Sequence, residues 1–178
     1  MDPVQASRQG SEDAFLRLFD EHHLPLFRFA SRMTGSAADA EDIVQECFLG
    51  LMRPECAYDP ARTPLRTYLF GVVRNQVRRR RNRSTRSQAG EEEPGIGDSP
   101  ESHVLRSELE DVVARAVMEL PDTQREVLIL AHYEEMPLGE IARLMDLEVG
   151  AVKSRLQRAR AQLKETLAAY ATGQGKKS

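Results

Sequence analysis

The sequence predicts an all-α protein with two small helical domains joined by a flexible acidic linker. Apolar residues recur at spacings of three and four on both sides of the linker, and no stretch alternates convincingly with period two. The linker itself is rich in Ser, Gly, Pro and Glu and has few large apolar residues. A length of 178 residues suits one ordinary domain or two very small ones. The helical spacing on both sides and the linker between them together favour two very small domains.

The first domain is expected to span residues 1–83 and to contain three main helices. The first helix, with a bend expected at Pro25, is marked by Phe15, Leu18, Phe19, Leu26, Phe29 and Met33. Ser36 and Asp39 then form a capping-box pattern. The second helix that follows carries its apolar stripe on Ala40, Ile43, Val44, Cys47, Phe48 and Leu51. A third helix opens at Thr63-Pro64 and continues through a run of arginines.

Residues 84–103 are the predicted linker. They carry one arginine against five carboxylates, a net charge of −4. A segment of this composition buries too little apolar surface to offset the entropy of ordering its backbone. The second domain is therefore expected at 104–170, followed by a short tail, 171–178.

The second domain is predicted to end in a helix-turn-helix. Its earlier helices are marked by Leu105, Leu109, Val112, Ala116 and Leu120, and then by Val127, Leu128, Leu130 and Ala131. A short helix bearing Leu138, Ile141, Ala142 and Met145 reaches a break at 146–148. A longer helix follows, with Val152, Leu156, Ala159 and Leu163 facing inward and Glu148 expected to cap it through its carboxylate.

The outer face of that last helix predicts duplex DNA binding. It presents Lys153, Ser154, Arg155, Gln157, Arg158 and Arg160. Arginine and glutamine read base edges in the major groove, whereas lysine and serine more often contact phosphates. The other interpretation is a basic amphipathic helix whose charges only face water. The turn and the acid-free face favour DNA.

The arginine-rich third helix has the residues needed to hold single-stranded bases. Tyr68, Gly71, Asn75 and Arg79 share one face, and the flanking cations are Arg66, Arg74, Arg78 and Arg81. An aromatic ring, an amide and guanidinium groups suit unstacked bases and their phosphates. Tyr68 could instead be a core aromatic, and the arginines a solvated helix end or non-specific phosphate contacts.

The second helix carries an acidic strip of Asp39, Asp42 and Glu46, bordered by Glu41 and Gln45. Such a strip is usually a solvated face, but it also suits a basic protein partner.

Several function classes are excluded by composition. A net charge of −3 argues against a histone-like polycation, and no apolar run approaches the length of a membrane span. Two cysteines without a repeated spacing and the absence of a signal-peptide pattern predict a cytoplasmic protein. No metal-ligand spacing, phosphate loop or catalytic constellation is found, so no metal, cofactor or enzyme activity is expected.

Four motifs in order resemble the extracytoplasmic-function class of bacterial RNA polymerase sigma factors. They span nearly the whole chain, and Tyr68 stands where that family commonly has tryptophan. The motifs are the acidic helix from Asp39 to Phe48, Tyr68-Leu69 followed by Asn75, Leu120-Pro121 followed by Arg125-Glu126-Val127-Leu128, and the recognition helix from Val152 to Arg160.

The resemblance implies a role for each surface. The core polymerase would contact Asp39, Asp42, Gln45, Glu46 and Phe48. The opened −10 promoter element would be bound as single strand, with assistance to melting, by Arg66, Tyr68, Arg74, Asn75, Arg78 and Arg79. The duplex −35 element would be read by Lys153, Ser154, Arg155, Gln157, Arg158 and Arg160. Family members are often restrained by an anti-sigma factor, so one is expected as a further partner, with no insertion into the membrane.

The alternative function is a free-standing helix-turn-helix regulator that binds duplex DNA without polymerase. The acidic helix and the face of Tyr68 and Asn75 favour the sigma factor, because an autonomous regulator needs neither.

Overall fold

A computed structural model describes residues 3–87 and 108–172, and all regular structure in these ranges is helical. The chain divides into two compact units. The N-terminal unit contains α1 (Pro3–Arg8), α2 (Glu12–Thr34), α3 (Ala37–Met52) and α4 (Leu65–Ser87). The C-terminal unit contains α5 (Glu108–Met118), α6 (Asp122–Leu128), a π-helical turn (Ile129–Tyr133), α7 (Leu138–Met145) and α8 (Val149–Ala171). The all-α prediction is thus confirmed.

The predicted linker and tail fall mostly outside the described residues. Helix α4 continues to Ser87, beyond the domain end that the sequence suggested at residue 83. The rest of the predicted linker, Leu105 of the next predicted helix and the last six residues of the tail lie outside the described ranges. Within those ranges, no helix is long and apolar enough to cross a membrane.

The helix ends of the N-terminal unit follow from local sequence. The backbone N–H of Asp39 donates to the Ser36 hydroxyl oxygen at 3.2 Å, which caps α3 as predicted. Gly35 ends α2 in the left-handed region, with a φ of 73°, where a residue without a Cβ is favoured. Helix α2 runs through Pro25 without ending there. Helix α4 begins directly after Pro64.

Helices α2, α3 and α4 pack around one apolar core. The rings of Phe29 and Phe70 meet edge to face, with centroids 5.5 Å apart. The deeply buried side chains of this core include Leu26, Phe29, Ile43, Val44, Leu69, Phe70 and Val73. Helix α1 packs on α2 and α3, and Arg8 Nε donates to the Leu51 carbonyl oxygen at 2.9 Å. Burial of these stripes fixes the rotation of each helix and hence its outward face.

The C-terminal unit has its own core. Its buried residues include Leu120, Val127, Ile129, Leu130, Ile141, Val152 and Ala159. The Arg125 guanidinium is buried and joins α5 to α6, with Nη2 donating to the carbonyl oxygens of Met118 at 2.5 Å and Leu120 at 2.9 Å. Leu109, one of the residues that mark this helix in the sequence, lies in α5 but is 69% exposed, because the buried face of α5 passes through Ala116 and Val117.

The helix-turn-helix is formed as predicted by α7 and α8. Asp146 ends α7 in the left-handed region, with a φ of 55°, and the N–H of Leu147 donates to the Ala142 carbonyl oxygen at 2.9 Å. Glu148 occupies the N-cap position of α8, but its side chain makes no capping hydrogen bond. The prediction of a carboxylate cap is therefore wrong. The Glu side chain is longer than that of Asp or Ser, so folding it back onto the helix end loses more rotamer entropy.

Candidate nucleic-acid interface

The outer face of α8 is a polar surface held in place by a buried inner stripe. Lys153, Ser154, Gln157 and Arg158 are exposed, and Arg155 is half-buried. Val152, Leu156 and Ala159 on the opposite side are buried, which fixes the rotation of the helix. No acidic residue lies in its first turn. Five of the six residues predicted to contact duplex DNA are thus brought together on one exposed or half-exposed face.

Arg160, the sixth of these residues, has an intramolecular partner. Its Nε donates to Nε2 of His132 at 3.0 Å, which joins α8 to the π-helical turn. Sequence reasoning missed His132, since nothing local indicates a partner 28 positions away. Arg160 is still exposed, but its hydrogen bond gives it a second role inside the domain.

Tyr68 lies at the start of α4, against the loop of residues 53–64 that joins α3 to α4. Its phenolic oxygen is 3.3 Å from Cys56 Sγ, and its ring centroid is 5.0 Å from that of Tyr58. Burial raises the pKa of Tyr68 to about 12, the hydrogen bond with Cys56 adds to the rise, and the charge of Arg8 opposes it. Tyr68 is therefore a neutral, half-buried aromatic at physiological pH. The sequence did not identify Cys56 or Tyr58, because the loop has no periodicity.

The other predicted single-strand contacts divide into two groups along α4. Asn75, Arg78 and Arg79 are exposed, and Arg74 is half-buried. Arg66, one turn before Phe70, lies over that ring with its guanidinium carbon 5.5 Å from the centroid. Burial lowers the pKa of the nearby His22, with Glu21 raising it and Arg66 lowering it further. Arg66 thus covers a ring of its own helix and acts on His22 of α2 through its charge, in addition to adding to the surface charge.

The acidic strip of α3 is joined to α4 by an arginine that sequence reasoning did not select. Arg80 Nη1 lies 2.5 Å from Oδ1 of Asp39, and its Nη2 lies 3.5 Å from Oδ2 of Asp42 and 3.8 Å from Oε1 of Glu46. The Arg80 side chain is 28% exposed, whereas Asp42 and Glu46 are more than half exposed. One guanidinium group therefore faces all three acids of the predicted docking strip.

The remaining predicted docking residues differ in exposure. Gln45 is exposed, and its Nε2 donates to Glu41 Oε1 at 3.4 Å. Phe48 is only 4% exposed, with its ring 5.1 Å from that of Phe19 and 6.3 Å from that of Phe15. The expected contact of Phe48 with polymerase does not fit this burial. Phe48 lies on the buried apolar stripe of α3 and packs in the core of the N-terminal unit.

The two cysteines differ in their surroundings. Cys47 is 2% exposed, and burial raises its pKa to about 12, with the charge of Cys56 adding to the rise. Cys56 is half-buried in the loop beside Tyr68. Neither forms a disulfide. In the part of the chain that the structure describes, no group of three His, Cys, Asp or Glu side chains is placed to hold a metal ion.

Comparison with protein families identifies both units. Residues 18–87 match Sigma-70 region 2, and residues 110–163 match Sigma-70, region 4. The chain is 36% identical over 162 residues to the ECF RNA polymerase sigma factor SigL of Mycobacterium tuberculosis, covering 88% of this chain and 91% of that protein. It is 28% identical over 177 residues to the ECF RNA polymerase sigma factor SigW of Bacillus subtilis, covering 92% of this chain and 94% of that protein.

Two solved structures are similar in fold. The structure of CnrH in complex with the cytosolic domain of CnrY gives a TM-score of 0.69 at 28% identity, covering 94% of this chain and 96% of that one. The sigma factor RpoE in complex with the anti-sigma factor NepR, from Bartonella quintana, gives a TM-score of 0.71 at 25% identity, covering 86% of this chain and 96% of that one. With both regions matched and the helix-turn-helix in place, the chain belongs to the ECF sigma factors, which direct core RNA polymerase to specific promoters and assist their melting.

Proposed function

We propose that promoter recognition and polymerase docking are divided among three helices, with α8 on the −35 duplex, α4 on the −10 single strand and α3 on the core polymerase. The observation that carries this assignment is that buried inner stripes turn a basic face outward on α8 and α4 and an acidic edge outward on α3. Each face has the charge that its partner requires.

On α8, Arg155, Gln157 and Arg158 are assigned to base edges and Lys153 and Ser154 to phosphates of the −35 element. The fixed rotation of the helix supports this for Gln157 and Arg158, which are exposed and face away from the buried Val152 and Ala159. Arg155 is half-buried at the edge of that stripe. Arg160 is assigned a phosphate contact beside its bond to His132. This bond limits the directions in which the guanidinium can point.

On α4, Tyr68 is assigned to base stacking and Asn75 to base hydrogen bonds in the opened −10 element. Arg74, Arg78 and Arg79 follow the same helix and suit the phosphates, while Arg66 lies closer to the protein surface over Phe70. The neighbouring Tyr58 ring adds a second aromatic surface beside Tyr68. These groups hold bases that leave the duplex, which favours melting.

On α3, Asp39, Asp42, Gln45 and Glu46 are assigned to core polymerase. The exposed carboxylates of Asp42 and Glu46 suit a basic partner surface, and Phe48 holds the helix in place from the core. The relatives are transcription initiation factors, and we assign this chain the same non-enzymatic role in the cytoplasm, without a cofactor.

The domain limits and the regulatory partner are also part of the proposal. The −10 and core-binding domain is placed at 1–83, the linker at 84–103, the −35 domain at 104–170 and the tail at 171–178; the continuation of α4 to Ser87 favours a slightly later first boundary. Because RpoE was solved with an anti-sigma factor, we further propose that a protein of that class restrains this chain.

The experiment that tests the assignment is reconstituted transcription with core polymerase and a promoter library. The wild-type chain should give specific initiation, and Asp42→Lys should weaken core association, more strongly at low salt. Asp20→Lys, an equal charge change at an exposed site on α2, is the matched control and should bind as wild type. Initiation no higher than with core alone, together with a footprint on duplex DNA, would support the free-standing regulator instead.

A further inference from the structure

Arg80 lies where the proposed polymerase surface meets the proposed DNA-binding helix. It belongs to α4, directly after the exposed Arg78 and Arg79, yet its guanidinium faces the acidic strip of α3. The shortest of its three ion pairs is with Asp39 at 2.5 Å. The same side chain is therefore within reach of two surfaces to which different partners would bind.

The ion pairs of Arg80 are exchangeable. The side chains of Asp39, Asp42 and Glu46 are 49%, 65% and 61% exposed, so water and salt compete for them. Exposed pairs of this kind contribute little net stability and can be replaced by another pairing of similar strength. A basic partner on α3 and a phosphate on α4 each offer such a replacement.

We propose that Arg80 is a positioning residue that couples polymerase docking to single-strand DNA binding. In the free protein it neutralises part of the acidic strip. When basic groups of the polymerase take over Asp39 and Asp42, Arg80 is released and adds a phosphate contact beside Arg79. Because such coupling is reciprocal, DNA that binds Arg80 frees Asp39 and Asp42 for the polymerase. It therefore raises the affinity for the polymerase by the same factor by which polymerase binding raises the affinity for DNA. This inference rests on the proposed function of α3 and α4.

The first test uses the free protein and a mixed-sequence single-stranded 12-mer, because a phosphate contact does not depend on sequence. Asp39→Asn removes the shortest ion pair and should raise the affinity for the oligonucleotide about two- to fivefold at low salt. It should also steepen the salt dependence by about 0.7 in the log–log slope, the value for one additional phosphate contact on a single strand.

Double-variant cycles distinguish Arg80 release from a general change of charge. In an Arg80→Gln background, Asp39→Asn should lose most of its gain and should no longer steepen the salt slope. In an Arg78→Gln background, the matched removal of an exposed arginine on the same helix, both effects should persist. Equal gains in the two backgrounds, or no gain with Arg80 present, would overturn the proposal. Circular dichroism checks that each variant is helical.

The second test measures the coupling itself in the presence of core polymerase. The same oligonucleotide should tighten core binding by a larger factor for the wild type and for Arg78→Gln than for Arg80→Gln. An equal factor for Arg80→Gln overturns the coupling. Absence of core binding by the wild-type chain, or an unchanged core affinity in Asp42→Lys without DNA, would instead reject the assignment of α3. The oligonucleotide affinities of the single and double variants are measured without polymerase, so they test Arg80 release whatever that result is.

Discussion

Cys56 Sγ lies 3.3 Å from the phenolic oxygen of Tyr68, so the loop between α3 and α4 is in direct contact with the residue assigned to base stacking. The Tyr58 ring, from the same loop, packs beside it at 5.0 Å. The stacking surface is thus built by a loop and a helix together. A substitution in the loop is therefore expected to alter the position of the Tyr68 side chain even when no residue of α4 is changed.

The two thiols should react very differently with an aromatic disulfide reagent. At pH 8 the native protein is expected to react rapidly at the half-buried Cys56 only, since Cys47 is buried and its pKa of about 12 leaves almost no thiolate. The measurement is the released chromophore, with one equivalent in native buffer and two in denaturant. Cys56→Ser should leave no fast equivalent; two fast equivalents in the native wild type would contradict the burial of Cys47.

Stability should fall at alkaline pH because the folded protein keeps protons that the unfolded chain releases. The pKa values of Cys47 and Tyr68 are raised from 9.0 and 10.0 to about 12 in each case. Their contribution is therefore fully present below about pH 9 and is lost as the pH rises towards 12. Cys47 should account for the larger part, because solvent screens the half-buried Tyr68.

Urea denaturation at a series of pH values measures this loss. Tyr68→Phe should flatten the decline between pH 10 and 12, while Cys47→Ala should flatten the part that begins near pH 9. A decline with the same slope in both variants and in the wild type would show that other groups control the alkaline limit.

Helical periodicity was sufficient to predict most of the fold. The stripe from Ala40 to Leu51 and the pairing of Ser36 with Asp39 are local patterns, and the structure reproduces both. The helix-turn-helix was recognisable for the same reason. Tertiary packing, not periodicity, decided exposure: Leu109 has the right spacing but lies on the exposed side of α5.

The candidate site was less predictable because its contacts join distant residues. Arg80 pairs with Asp39 across 41 positions, and four consecutive arginines offered no local reason to select it. One signal was present: Arg80 follows the buried Val73 and Val77 at helical spacing, which turns it towards α3. Phe48 shows the opposite error, since its place in a family motif did not reveal that its ring is buried.

Two leucine substitutions in the C-terminal unit should separate core from surface. Leu130→Ala removes a fully buried side chain and is expected to cost about 2–5 kcal/mol of the free energy of unfolding. Leu109→Ala changes the same atoms at a site that is 69% exposed and should stay within about 0.5 kcal/mol of wild type. Hydrogen exchange of the α6 and α8 amides measures both. A large loss in Leu109→Ala would indicate that α5 buries its other face.

The recognition helix should show graded effects of arginine removal on −35 binding. Arg155→Ala and Arg158→Ala are each expected to weaken holoenzyme binding to its best duplex site by about 1–3 kcal/mol and to relax base preference at one position. Arg160→Ala should weaken binding less than either of these substitutions, because its Nε is already bonded to His132. The loss should be about the same for every DNA sequence. Selection from a randomised −35 library at two salt concentrations measures preference and affinity together. The division of roles along α8 would be wrong if Arg160→Ala altered base preference as strongly as Arg158→Ala.

His132→Ala tests the same hydrogen bond by removing the other partner. It frees Arg160 without removing its charge, so it should change duplex affinity without changing which bases are selected.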